Sequence, residues 1–293
     1  MSYTIASNIS GFLSAENLEA FLDGYIATDD IDLGWLRMQT TNLNQVVNHG
    51  LNTVGQYNTQ TEGQAINTEA LSSGFQATYT HNSVSYGFAL SRQSNLTMDA
   101  TAKVDLMNQL GQSARRRMAS DAYGILNDST STNGPDGTTL AATDHPSAVG
   151  DMDNSLTSDL DFAGLEVAQR TLMLQQSHDG ILLGNRATVL LCPPAKRAAA
   201  FQTTQADFES EDLGLPSIAK SFGLRVIVAA DLDDSSRWFL VDEKTARLNM
   251  YILQGPQPQV VEIASDSYNF EVTDLMIYST GFDTWRGLVS SSA

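Results

Sequence analysis

Residues 97–126 read TMDATAKVDLMNQLGQSARRRMASDAYGIL, and their spacing predicts one long helix around which the rest of the chain is arranged. Met107, Leu110, Ala114, Met118, Ala122 and Ile125 recur at steps of three and four, so at 3.6 residues per turn they share one face. That face is the candidate core contact. Thr97 is placed to cap the start with Asp99 in the first turn, and Asn127-Asp128 break the pattern at the end. Arg115, Arg116 and Arg117 fan around the helix, with Arg116 opposite the stripe. The plain reading of Arg116 is a solvated helix back. The other is a guanidinium that pairs with a carboxylate on a neighbouring copy, since the chain is otherwise so acidic. Gly111 costs about 1 kcal/mol relative to alanine inside a helix, so packing has to hold the helix together there.

A chain of 293 residues with 42% hydrophobic content buries a sizeable core, in one large domain or two intimate ones. Its 34 acidic residues against 16 basic ones give a net charge of -18, which repels nucleic acid phosphates and acidic membranes and argues against a dedicated DNA reader. Arg37 is the only basic residue before Arg92, so the first third is polar and almost free of positive charge. Met1-Ser-Tyr-Thr lacks the positive start of an export signal, and no run approaches the roughly 18 apolar residues of a membrane span. The one cysteine, Cys192, excludes a disulfide within the chain. It ends an apolar run before Pro193-Pro194 and reads as a small buried hydrophobe.

Around the long helix the pattern is mixed. Ser14 to Gly24 predicts a short amphipathic helix, followed by an acidic, irregular segment from Ile26 to Trp35 whose apolar residues have nothing local to pack on. This N-terminal arm is expected to lie along another surface. Asn44 to Glu69, rich in Asn, Gln, Thr and Gly, reads as an extended loop. Alternation then predicts strands at Phe75–Tyr79 and Val84–Leu90 about a turn near Asn82. Ser129 to Ser155 reads as a surface excursion with turns at Gly134–Gly137 and Asp144–Pro146. A second amphipathic helix is expected from Ser158 or Asp159 to near Ser177, a buried strand at Ala187–Cys192, and a further helix at Ala195–Phe201. Strands at Leu224–Ala229, Trp238–Val241, Val260–Ile263 and Phe270–Tyr278 complete an α+β architecture.

No chemical motif stands out. Gly214-Leu-Pro-Ser-Ile-Ala-Lys220-Ser221 imitates a phosphate-binding loop, but Ala219 replaces the second glycine and Pro216 removes an amide donor. The four histidines have no metal-ligand spacing, and His145 beside Asp144 and His178 beside Asp179 both sit in turn-like sequence.

The order of elements nevertheless resembles that of tailed-bacteriophage major capsid proteins with the Hong Kong 97 type of fold, most of all the Mu-like head subunits. The likeness rests on Ser85-Tyr-Gly-Phe-Ala-Leu-Ser-Arg92 entering the long helix, Ala119-Ser-Asp-Ala-Tyr-Gly-Ile-Leu-Asn127, the Asp144-His-Pro146 segment, and the closing runs Trp238–Val241, Val260–Ile263 and Tyr278–Arg286. The resemblance implies an N-terminal arm over 1–43, an extended β-hairpin loop over 44–93 and a peripheral domain with the spine helix over 94–155. It further implies an axial domain over 156–245 and closing strands over 246–293 that return to the peripheral domain. Such a subunit is not an enzyme and has no cofactor. It closes with copies of itself into pentamers and hexamers of an icosahedral virion shell around double-stranded DNA. Scaffold, portal and decoration proteins are its further partners, it does not contact a membrane, and it assembles in the host cytoplasm. On this reading Asn48, Tyr57, Glu62 and Glu69 of the loop, Arg116 on the helix back and Arg286 near the end are expected to meet neighbouring subunits. One departure is plain: some relatives link a loop lysine to a neighbour's asparagine, and here the first lysine is Lys103. Two other shells or surfaces fit less well, an encapsulin-like compartment and a β-rich fibre. A hydrolase using the Asp144/His145 pair is the reading from another class.

Overall fold

In the computed structural model, which describes residues 12–26, 31–51, 62, 73–205, 208–210, 215–216, 220, 222–262 and 269–293, the decisive stretch forms one long helix, as its spacing predicts, with a short helix just before it. A short helix, α2 (Arg92–Thr97), ends at Met98, and the long helix, α3, runs Ala100–Asn127. The expected cap at Thr97 is corrected to Asp99, whose carboxylate accepts from the Ala100 amide at 2.7 Å. Thr97 instead turns its hydroxyl back toward the Gln93 and Ser94 carbonyls, the local competition that keeps threonine from continuing a helix well.

The stripe on α3 is buried as its spacing requires, but it serves two cores. Met107 and Leu110 pack with Phe12, Phe21 and Val272. Ala114, Met118, Ala122 and Ile125 enter the main core, where Tyr123 and Leu126 join them. The first core is made by α1 (Ala15–Ile26), started by Ser14, whose hydroxyl accepts from the Asn17 amide. The crossing of α1 over α3 explains Gly111. A Cβ there would collide with the Phe21 carbonyl oxygen, and one on Gly24 would collide with that of Asn108. Close backbone approach outweighs the helix propensity lost.

Two five-stranded sheets flank α3. The first contains β1 (Arg37–Thr40), β4 (Asn82–Ser91), β11 (Leu248–Gln254), β12 (Pro258–Glu262) and β13 (Asn269–Phe282). In it β13 pairs antiparallel with β4, with β12 and with β11, and β1 adds to β11 in parallel. The second has the order β5-β14-β10-β6-β9, formed by Ser155–Leu156, Leu288–Ser292, Arg237–Val241, Val189–Cys192 and Arg225–Val228. Val189–Cys192 is apolar throughout, and residues 238–241 likewise, because both faces are covered. Val189 and Leu191, with Phe239 and Val241, face the core of α3. Leu190, Cys192, Trp238 and Leu240 face the helices α4 (Phe162–Met173) and α5 (Arg197–Gln205) through Leu165, Ala168, Leu172 and Ala200.

Several expectations are revised. The strands before and after Asn82 do not form a hairpin. Strand β3 (Ser73–Thr80) pairs with an unforeseen β2 (Gln45–Leu51), while β4 belongs to β13. The described part of the arm does not leave for another surface: Leu33, Trp35 and Leu36 are in the main core, with the Trp35 and Tyr123 rings 5.3 Å apart. The 129–155 stretch is no mere surface excursion, since Leu140, Ala141, His145 and Asn154 are buried within it. The helix expected from 158 to 177 is confined to Phe162–Met173, started by Asp161 accepting from the Gly164 amide.

Met118, 1% exposed and accepting a hydrogen bond from the Tyr25 hydroxyl, is a core residue, whereas Arg116 is exposed. In thermal unfolding, Met118→Ala is expected to cost about 2–5 kcal/mol and Arg116→Ala less than about 0.5. Gly111→Ala should destabilise instead of gaining the ~1 kcal/mol that propensity alone would give. Equal effects at 116 and 118 would show the buried face of α3 to be misassigned, and a stabilised alanine at 111 would show the crossing of α1 and α3 to be wrong.

Candidate subunit-contact site

A ribbon of two strands is marginal on its own in water, so the β2–β3 ribbon must draw its order from what it touches. Pleating sends Val46, Ala77 and Tyr79 toward the body, where they pack on Tyr251 of β11. Val47 and Thr78 are left exposed on the outer face. A polar network fixes the root. The Asn48 side-chain amide donates to the Tyr251 hydroxyl at 2.7 Å and to both carboxylate oxygens of Asp283 at 2.9 and 3.1 Å. The Tyr79 hydroxyl donates to Asp283 at 2.6 Å and accepts from the Asn249 amide at 3.2 Å. Burial, and then the bond to Asp283, push the Tyr79 hydroxyl above its ordinary pKa, so it remains a proton donor. On the far side, His81 bridges the Leu43 carbonyl and the Ser279 hydroxyl.

Beside this root lies a cavity of about 330 Å³. The ribbon lines it with His49, Gly50, Gly74 and Phe75, and the body with Ser177, His178, Leu183, Arg247, Asp283, Thr284 and Arg286. Arg286 donates from Nε to the Gln176 carbonyl at 2.7 Å, and its guanidinium carbon sits 4.8 Å from the centre of the Trp285 ring. Burial draws its pKa below the usual arginine value, while Asp136 and Asp179 oppose that shift. The His178 ring meets Phe75 edge-on at 5.9 Å.

Of the expected contact residues, Asn48 and Arg286 are thus brought to one place through Asp283, which bonds the first and lines the cavity with the second. Glu62 is exposed, and Arg116 is exposed on the back of α3, outside the cavity lining. Tyr57 and Glu69 lie outside the described residues.

Sequence reasoning missed a second polar assembly. His145 does not pair with exposed Asp144. It is fully buried and stacks on Trp285 with ring centres 4.2 Å apart. Its Nδ1 lies 2.8 Å from Asp136 Oδ2 and 2.8 Å from the Thr138 hydroxyl, and its Nε2 lies 3.1 Å from Asn154 Oδ1. Asn154 is oriented by donating to the Leu140 and Leu288 carbonyls and accepting from the Ala142 amide. The arrangement is a clasp that ties the 129–155 segment to the chain's last turn. With both ring nitrogens engaged and no exposed edge, it offers nothing to a substrate, which removes the Asp144/His145 hydrolase reading. Cys192 is equally closed off, with burial pushing its thiol up to about 11. Among the described residues no group of three or more His, Cys, Asp or Glu is placed to hold a metal, and no helix is long and apolar enough to cross a membrane.

Comparison with known proteins agrees with the architecture. Residues 75–291 match the family described as phage capsid protein. Among similar solved structures is a virus-like particle from Pyrococcus furiosus, 13% identical over 94% of this chain and 96% of that one, with a TM-score of 0.58. The mature capsid of bacteriophage PhiM1 is 12% identical over 89% and 86%, at 0.56. The procapsid of bacteriophage JBD30 is 11% identical over 100% and 76%, at 0.55. At such identities the shared feature is the fold. The matched family is that of phage capsids and not of encapsulin compartments, and it does not single out Mu-like subunits. No curated protein matches the chain.

The clasp has a testable pH signature. Burial pushes the Asp136 carboxyl up, but the hydrogen bond and charge of His145, with help from Thr138, outweigh it and hold the carboxyl below its ordinary 3.8. A depressed carboxylate stabilises the fold fully above its unfolded pKa and loses that contribution as pH falls through the folded value. Asp136→Asn is therefore expected to lower the thermal midpoint at pH 7, with the gap from wild type closing as pH drops below about 4. A gap that stays constant from pH 7 to pH 3 would show that the carboxylate charge is not what matters.

Proposed function

We propose, from the premise that the chain belongs to the phage capsid protein family and is a structural subunit of the virion shell, that it closes into pentamers and hexamers and then into an icosahedral head around double-stranded DNA. The family match over 75–291 carries this reading. Two physical features support it. A ribbon rooted by half-buried polar bonds but exposed along its outer face is suited to lie on a neighbour, since neither of its strands has a core of its own. A net charge of -18 suits an inner wall that does not grip phosphate, so that DNA slides during packaging.

Within this reading the parts take the family's roles. Residues 1–43 are the arm, 44–93 the extended loop, 94–155 the peripheral domain with α3 as its spine, 156–245 the axial domain at capsomer centres, and 246–293 the closing strands. Asn48, Tyr57, Glu62, Glu69, Arg116 and Arg286 are the proposed contact residues. Asn48 acts from inside its own subunit, by aiming the ribbon. The subunit works by assembly and not by turnover, assembles in the host cytoplasm, and meets scaffold, portal and decoration proteins there. With no lysine before Lys103, the loop supplies no amine for a covalent link to a neighbour, so the shell is held by noncovalent contacts alone.

Electron microscopy of the purified protein, with a scaffold supplied if one is needed, should show closed particles. Boiling these in detergent should release a single band at the monomer mass of 31.7 kDa. Replacing residues 52–72 by a Gly-Ser turn should leave the thermal midpoint nearly unchanged, because loop shortening alters closure entropy by only about 1 kcal/mol. The same change should abolish closed shells, since it removes a contact repeated throughout the lattice. Normal shells from the shortened chain would refute the role given to the loop, and strict monomers of the full chain would refute the shell itself.

A further inference from the structure

The cavity at the ribbon root holds two polar atoms that the subunit leaves unused. Arg286 Nη2 and His178 Nδ1 are both buried and have no hydrogen-bond partner among the described residues. Both side chains line the same cavity, which adds a second guanidinium from Arg247 and a second imidazole from His49. A buried guanidinium N–H is a donor that is unfavourable to leave without an acceptor, so such a site is poised for a ligand that brings acceptors.

The nearby carboxylates do not meet this need. Asp283 is taken by Asn48 and Tyr79, and Asp136 by His145. Asp179 acts on Arg286 through charge without bonding Nη2. The fitting ligand therefore has paired oxygen acceptors and negative charge. A carboxylate supplies both, and a guanidinium fork matches it in a plane.

We infer that this cavity receives an aspartate or glutamate side chain from a second copy of this chain, so that the ribbon root is completed only in the assembly. Composition favours that occupant over a nucleic acid phosphate. A second copy presents 34 acidic side chains, any of which can supply the carboxylate, and its contact with this subunit repeats at every position of the shell. Position favours it too, because four of the eleven lining residues, His49, Gly50, Gly74 and Phe75, come from the ribbon that is proposed to lie between neighbours. The inference rests on the shell reading and adds to it the chemistry of one contact.

The test uses full-length protein and assembly yield against concentration and salt. Arg247 is exposed, so Arg247→Gln should keep the wild-type thermal midpoint. It should nevertheless raise the concentration needed for assembly by about tenfold, the ratio expected when a charge-assisted contact is lost, and flatten the salt dependence. His178→Gln should act in the same direction. To identify the occupant, Arg247→Lys subunits are assembled from mixed nitrogen-15 and natural-abundance protein and treated with a carbodiimide, which joins an amine to an adjacent carboxylate. Mass spectrometry should find residue 247 joined to an acidic residue of the differently labelled copy. Wild-type assembly by both glutamine variants, or joining only within one copy, overturns the inference while leaving the shell reading intact. Normal assembly with reduced DNA content would assign the cavity to phosphate and also overturn it. If the wild-type chain itself forms no particles, both readings fall together.

Discussion

The face of α3 from Ala114 to Leu126 is the surface on which everything else depends, because residues of both sheets pack on it. Met250, Met276 and Tyr278 reach it from the first sheet, and Val189, Leu191, Phe239 and Val241 from the second. One buried core thus joins residues of both sheets to this helix. Fully buried side chains of this size stabilise by roughly 1.5–3 kcal/mol each, so the stripe contributes more than any polar pair in the molecule. The polar assemblies have another task, which is to fix direction. The His145 clasp sets where the last turn lies, and the Asn48–Asp283–Tyr79 network sets the angle at which the ribbon leaves.

What was legible in the sequence follows from this division. The stripe on α3 could be read because one face is buried and the other solvated, so polarity carries the period. The strands at Val189–Cys192 and Arg237–Val241 could be read as short apolar runs between turn residues. Leu248–Gln254 escaped, although it is central to the first sheet. Its first four residues are all buried, and Asn249 among them breaks the apolar run without marking an exposed face. The parallel pairing of Arg37–Thr40 with that strand joins residues some two hundred positions apart, and no local signal announces it.

The contact site was visible only in outline. An arginine near the end and an asparagine in a polar loop gave the right neighbourhood, but their meeting at Asp283 depends on a fold that brings residue 48 beside residue 283. His145 was misjudged for a related reason. Its immediate neighbours, Asp144 and Pro146, spell a turn, while the partners that bury it are Asp136, Asn154 and Trp285. Local spelling describes the backbone there correctly and says nothing of the side chain.

Strand β13 has a mechanical consequence. It is 14 residues long, with β4 bonded along one edge and β12 and then β11 along the other. Asp283, the anchor of the ribbon, follows its last residue directly. A load that reaches Asp283 along the strand axis runs at right angles to the ladder bonds. In that direction the bonds resist as a set, in shear, and do not open one after another as in peeling. The body of the subunit behaves as a stiff anchor plate, and yielding under tension is left to the contacts that the ribbon makes outside it.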